Sequence, residues 1–221
     1  MALLHAASIR PTKIEMLRAW APTQPWFTGD DEGLEQIGAY RFDDPDGEVG
    51  IETFLVRSGD GPVLHIPVTY RDAPLAGADE WLITEMEHTV LGHRWVYDAV
   101  GDPVYAAALA TVILGGGSEA PVEREADGVR TPVEPTARVT GSGSSTDVGS
   151  VGLVDVRDRD AATLVVTSAA EIEVLRVVGD NSWSMAGETL TGTWPGRDEP
   201  ALLMLGLRLL IIDRTCNMTS H

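Results

Sequence analysis

The chain has 221 residues, 34 of them acidic and 16 basic, for a formal net charge of −18. A nucleic-acid binder needs a clustered cationic footprint to displace counterions, and no such cluster exists, so that class is excluded. With 43% hydrophobic residues the chain is long enough to bury a sizeable core, and its one cysteine, Cys216, has no partner for an intrachain disulfide.

A lone cysteine fits a reducing cytoplasm. Residues 1–9 lack the basic lead and long apolar stretch of a signal peptide. The longest apolar run, 201–212, is broken by Gly206 and Arg208 and falls short of the ~20 residues of a membrane helix. The expectation is a soluble, cytoplasmic protein without a membrane partner. Lys13 is the only lysine; all other bases are arginine, the usage of a GC-rich genome.

In chain order, Thr12-Lys13-Ile14-Glu15 has the spacing of a capping box, and Ile14, Leu17 and Ala21 share one helical face. A helix over 13–20 is predicted, ended by Pro22 and Pro25. Strands follow over 35–42, 49–57 and 63–70, separated by the turn residues Asp43-Asp44-Pro45-Asp46-Gly47 and Ser58-Gly59-Asp60-Gly61. This is an antiparallel meander, not a βαβ series. Residues 78–87, with Asp79 and Glu80 leading, predict a short helix, and 93–99 a strand. Asp102 is a good N-cap and Pro103 suits the first helical position, so a helix runs from there to the stop at Gly115-Gly116-Gly117.

Composition shifts to charge and proline over 118–136, which reads as a linker or long loop. A second β-rich half spans 137–212, with strands over 137–141, 151–157, 163–166, 172–178 and 189–194. Its last segment, 201–212, is ambiguous, though Leu202, Leu203, Leu205, Leu209 and Leu210 fit a buried helix better than a strand, and a loose tail follows at 213–221. The fold class expected is α+β: a curved antiparallel sheet with few helices over 1–117, then the second β-rich half.

The segment Leu91-Gly92-His93-Arg94-Trp95-Val96-Tyr97-Asp98, continuing through Gly101-Asp102-Pro103-Val104-Tyr105, joins an aromatic strand to a helix. Together with Trp26-Phe27-Thr28-Gly29-Asp30 and the meander between them, it resembles the N-terminal cap of actinobacterial maltokinases over residues 13–117. Small standalone actinobacterial proteins, often labelled 1,4-α-glucan branching proteins, share the pattern. The resemblance implies a cystatin-like cap, a curved sheet wrapped around a helix, that performs no chemistry itself, and an association with α-glucan, maltose or trehalose metabolism.

Phosphoryl transfer needs a catalytic aspartate, a nearby amide side chain and a metal-holding acid. The chain has no His-x-Asp loop, no Asp-Phe-Gly-like motif and no lysine on a strand after the meander. Glucan branching on a TIM barrel takes roughly 250 residues for the barrel alone. Neither activity is supported.

Other candidate chemistry is weighed residue by residue. His88 and His93, with Glu85, Glu87 and Asp98 near, suggest a metal, but five positions apart they diverge on a helix and face opposite sides on a strand. His65 lies in an apolar strand, where a solvent-facing or hydrogen-bonded place is the simplest reading. Asp43, Asp44, Asp46 and Glu48 read as a hairpin turn; Pro45 and the short span do not suit an EF-hand loop. Gly115-Gly116-Gly117 and Gly141-Ser142-Gly143-Ser144-Ser145 read as flexible turns, since neither follows a strand and opens a helix as a phosphate cradle does.

Trp26, Phe27, Trp95, Tyr97, Trp183 and Trp194 can pack in a core or stack on sugar rings. Trp194, followed by a Pro-Gly turn, is the best exposed candidate. The binding residues expected are Trp26, Arg94, Trp95, Tyr97, Asp98 and Trp194, with no metal and no cofactor. The leading function is a non-catalytic module for a carbohydrate or protein partner. The alternative is a small enzyme with a pocket in the curved sheet, drawing acid–base groups from His65, Asp98, Tyr97 or Arg94.

Overall fold

Residues 51–56 and 64–68 are buried without interruption, which a strand achieves only when both faces of its sheet are covered. The computed structural model shows how. It describes residues 2–5, 7–30, 32–126, 129–179 and 187–208. In chain order these form β1 (Ala2–His5), β2 (Ile9–Arg10), α1 (Lys13–Trp20), β3 (Leu34–Phe42), β4 (Gly50–Ser58), β5 (Val63–Arg71), β6 (Leu82–His88), β7 (Gly92–Asp98) and α2 (Pro103–Gly115). There follow β8 (Val122–Ala126), β9 (Val129–Val133), β10 (Arg138–Gly141), β11 (Leu153–Asp158), β12 (Ala162–Thr167), β13 (Ala170–Leu175), β14 (Val177–Val178), β15 (Glu188–Trp194) and β16 (Arg197–Arg208).

A curved antiparallel sheet runs in the order β2-β6-β7-β5-β4-β3, with β14 added to the start of β5. A second antiparallel sheet has the order β10-β15-β16-β13-β12-β11, and a small one the order β1-β8-β9, with β1 and β8 parallel. The fold is α+β, mostly antiparallel strands with two short α-helices among the described residues.

α1 lies on one face of the first sheet. Its Met16 and Leu17 join Trp26, Phe54, Ile66, Val68, Met86 and Val96 in one apolar cluster. α2 fills the space between the opposite face and the second sheet, so that Tyr40, Ile51 and Leu55 share a cluster with Leu109, Ile113, Ile172 and Leu203. Both helices start as the sequence predicts. Thr12 and Glu15 form the reciprocal capping box of α1, and Asp102 accepts the Val104 N–H at 2.9 Å. No described helix is long and apolar enough to cross a membrane.

Three expectations need correction. Residues 78–87 are not a helix: a short 3-10 turn at Asp79–Trp81 leads into β6, where buried Met86 and half-buried Thr84 and His88 alternate with exposed Glu85 and Glu87. That period of two overrides the acidic helix-start signal. Residues 201–208 belong to β16, not a helix. It lies between β15 and β13, and residues 201–206 are all buried, so an interior strand has the same unbroken apolar run as a buried helix. Residues 209–212 and the tail lie outside the described residues. The stretch 118–136 contains the hairpin β8–β9, and its ends are tied to the outer edge of β3 by Ala120 N–H to Arg41 O at 2.8 Å and Ala39 N–H to Thr136 Oγ1 at 2.8 Å.

Candidate functional site

Of the six binding residues read from the sequence, four are buried: Trp26 at 3% exposure, Tyr97 at 2%, Asp98 at 3% and Trp194 at 7%. Arg94 and Trp95 are half-buried. Trp194, expected at an exposed edge, is instead packed into the core. Gly38 on β3 has no side chain to fill that place, and a Cβ there would lie 3.2 Å from the Trp194 Cβ. Arg197 covers the ring at 5.7 Å. Trp26 is enclosed by Trp20, edge-on at 5.8 Å, and by the Arg176 guanidinium at 5.5 Å. The Tyr97 hydroxyl accepts the Leu75 N–H at 2.8 Å. Trp183 lies outside the described residues.

Two of the four acid–base candidates, His65 and Asp98, lie in a sealed polar cluster where the edge of β5 passes from β14 to β7. His65 Nδ1 donates to the Leu175 carbonyl at 2.9 Å, which leaves Nε2 to accept from the Tyr40 hydroxyl at 2.8 Å. Burial pushes His65 down to about 3, so the ring is neutral. Its hydrogen-bonded sheet position agrees with the sequence reading. Asp98 is paired with Arg176 at 2.6 Å, both almost fully buried, and Arg176 also donates to Thr163 at 2.9 Å. Burial raises the Asp98 carboxyl against the pull of Arg176. Among the described residues Asp98 Oδ1, Arg176 Nη1 and the Tyr105 hydroxyl have no hydrogen-bond partner.

A recess does open at the far end of the first sheet. It is a cleft of about 550 Å³ between the β3–β4 turn, the start of α1 and the β6–β7 hairpin. Glu52 lies beneath it. Lys13 bonds both carboxylate oxygens at 2.8 and 2.7 Å, Arg41 approaches at 3.0 Å, and the Tyr70 hydroxyl donates at 3.0 Å. Burial raises the Glu52 carboxyl, but Arg41 and Lys13 outweigh it and the net direction is down. Arg94 lines the same cleft; it is the one sequence-predicted binding residue found there.

Lys13, Arg41, Glu52 and Tyr70 were not singled out by the sequence reading. The available signals were the uniqueness of Lys13 and a carboxylate inside the apolar strand 50–56. Lys13 also sits over the Phe54 ring at 5.6 Å, an attraction worth about 0.5–2 kcal/mol.

His88 and His93 do face different surroundings: His88 lines the cleft, while His93 bonds Glu87 at 2.6 Å and Glu85 at 2.9 Å on the outer face. Among the described residues no group of three His, Cys, Asp or Glu side chains is arranged to hold a metal ion. Asp44 makes a turn, its carboxylate accepting the N–H groups of Asp46, Glu48 and Val49 at 2.9–3.1 Å.

The glycine-rich segment 141–145 is neither a phosphate cradle nor a loose turn. It runs against the end of α2, where Gly143 and Ser145 donate their N–H groups to the Ile113 and Leu114 carbonyls at 2.9 and 2.8 Å. These are carbonyls that a helix end leaves without partners.

Residues 20–102 match the family model described as the maltokinase N-terminal cap domain. The match takes in the last residue of α1, strands β3–β7 and the polar residues Arg94 and Asp98, and it stops at the N-cap of α2. No curated protein matches the chain.

Proposed function

We propose that this chain is a non-catalytic binding module built on a maltokinase-type cap, whose ligand face is the cleft beside the β3–β4 turn. The carrying observation is the contrast between the two polar sites. His65 and Asp98 are buried and bonded to Tyr40, the Leu175 carbonyl and Arg176, whereas the accessible cleft holds charged groups suited to recognition. A cystatin-like wrapping of sheet around helix is supported by α1 lying on the first sheet. A cytoplasmic setting is supported by the lone cysteine, and a link to α-glucan, maltose or trehalose metabolism by the family resemblance.

The competing reading is a small enzyme. In its favour stand the unpartnered Asp98 Oδ1, Arg176 Nη1 and Tyr105 hydroxyl, since unsatisfied buried groups cluster at reactive sites. Against it, Asp98, Arg176 and Tyr105 are almost fully buried and none of them lines the cleft.

The two readings separate in one experiment: glycan-array binding and capture of partners from lysate, with the wild type and Leu91→Glu side by side. Leu91 is 44% exposed at the mouth of the cleft, so a charge there leaves the fold intact. Retention of a defined glycan or protein, lost in the variant, supports the module. Retention of neither, or retention that Leu91→Glu does not change, overturns it.

A further inference from the structure

We propose that the cleft binds a small organic anion, with a single carboxylate or phosphate group on Arg94 and an apolar body against Ile9 and Leu91. The unused donors of Arg94 within the cleft carry the inference. The Glu52 carboxylate is spent on Lys13, Arg41 and Tyr70, and the Asp44 carboxylate on three backbone N–H groups, while Asp43 and Glu48, also in the lining, are exposed on the β3–β4 turn. Arg94 is different. Among the described residues its one hydrogen bond goes to the neighbouring His93 carbonyl at 3.4 Å, which leaves the rest of a five-donor fork unused in a half-buried place.

Register fixes where it lies. Arg94 is opposite Met86 on β6, and His88 is opposite Ile9 on β2, so all four share the sheet face that carries α1 and borders the cleft. A planar guanidinium matches carboxylate or phosphate with two parallel bonds. The volume of about 550 Å³ lies inside the roughly 300–1,000 Å³ range of small-molecule sites. The apolar requirement comes from the hairpin tip, where Val90 and Leu91 are 55% and 44% exposed beside the opening. The net charge of −18 repels polyanions, which favours one charged group on an apolar frame.

This rests on the cleft being a binding surface. The test is calorimetry and amide chemical-shift mapping on the full chain with phenylbutyrate, phenylpropyl phosphate and the neutral phenylbutyramide. At least one anion is expected to bind about tenfold or more tightly than the amide, with shifts centred on 41–51 and 86–94. The preferred head group identifies the source as carboxylate or phosphate. Arg94→Met should abolish the preference, and Leu91→Glu, at an exposed position, should weaken the anion about tenfold. No binding of either anion, equal binding of the amide, or a preference unchanged in both variants overturns the proposal. A retained neutral glycan with no anion binding would overturn it and leave the module standing; maltose-dependent consumption of ATP would overturn the module whatever the anions do.

Discussion

His65 and His93 belong to neighbouring strands, β5 and β7, yet their protonation is driven in opposite directions. Burial holds the folded His65 at about 3, far below its ordinary 6.5. The unfolded chain therefore binds a proton that the folded one refuses. The His65 contribution is complete above pH 6.5 and is lost as pH falls toward 3. His93 is raised, chiefly by its hydrogen bond to Glu87, against desolvation and with help from Glu85. Its contribution is complete below 6.5 and fades as pH rises through the folded value. Imidazole NMR should show His65 neutral down to pH 4 and His93 titrating above 6.5. A His65 that titrates near 6.5 contradicts the sealed cluster.

Asp102 combines two jobs at the same scale. It caps α2 through Val104, and it takes a two-pronged ion pair from Arg71 at 2.7 Å for each bond, with Thr69 adding a third at 2.8 Å. The cap was legible from Asp-Pro before an apolar run. The pairing was not, because Arg71 is distant in sequence and enters only through the β5–β7 register. Asp102→Ala should cost roughly 3 kcal/mol in denaturant unfolding. Asp102→Asn, which keeps the capping oxygen, should recover about 1 kcal/mol of it.

Among elements, those marked by a local pattern were readable and those set by burial on two sides were not. The capping box of α1, the meander and the start of α2 carry their own start and stop residues. β6 and β16 do not: the first has an acidic lead that imitates a helix start, and the second is apolar on both faces. β8 and β9 lie in a polar stretch with little periodicity, and the pairing of β8 with β1 is not encoded nearby.

The 141–145 segment shows the same limit, since its glycines serve a helix distant in sequence. A Cβ on Gly143 would lie 2.1 Å from the Leu114 carbonyl oxygen, whereas one on Gly152 would meet nothing within 4 Å. Gly143→Ala should therefore destabilise by about 1–3 kcal/mol, and Gly152→Ala should stay within about 0.5 kcal/mol. Equal effects in thermal unfolding would contradict the role of 141–145 as the cap of α2.

For the whole molecule, the decisive feature is that residues of both halves share one core cluster through α2. Unfolding should then be a single transition, with far-UV circular dichroism and tryptophan fluorescence coincident. Two separated transitions would mean that the halves fold independently. The candidate site was legible at Arg94 alone, because the cleft depends on how the turn, α1 and the hairpin meet in space.

The claim on which the account rests is that the accessible site binds and the enclosed polar cluster does no chemistry. Its most direct test is the rate of ATP consumption by the purified full chain with magnesium and maltose, by coupled assay. The account predicts a rate equal to that of buffer without protein. Maltose-dependent consumption that scales with protein concentration and disappears in Asp98→Asn would contradict it.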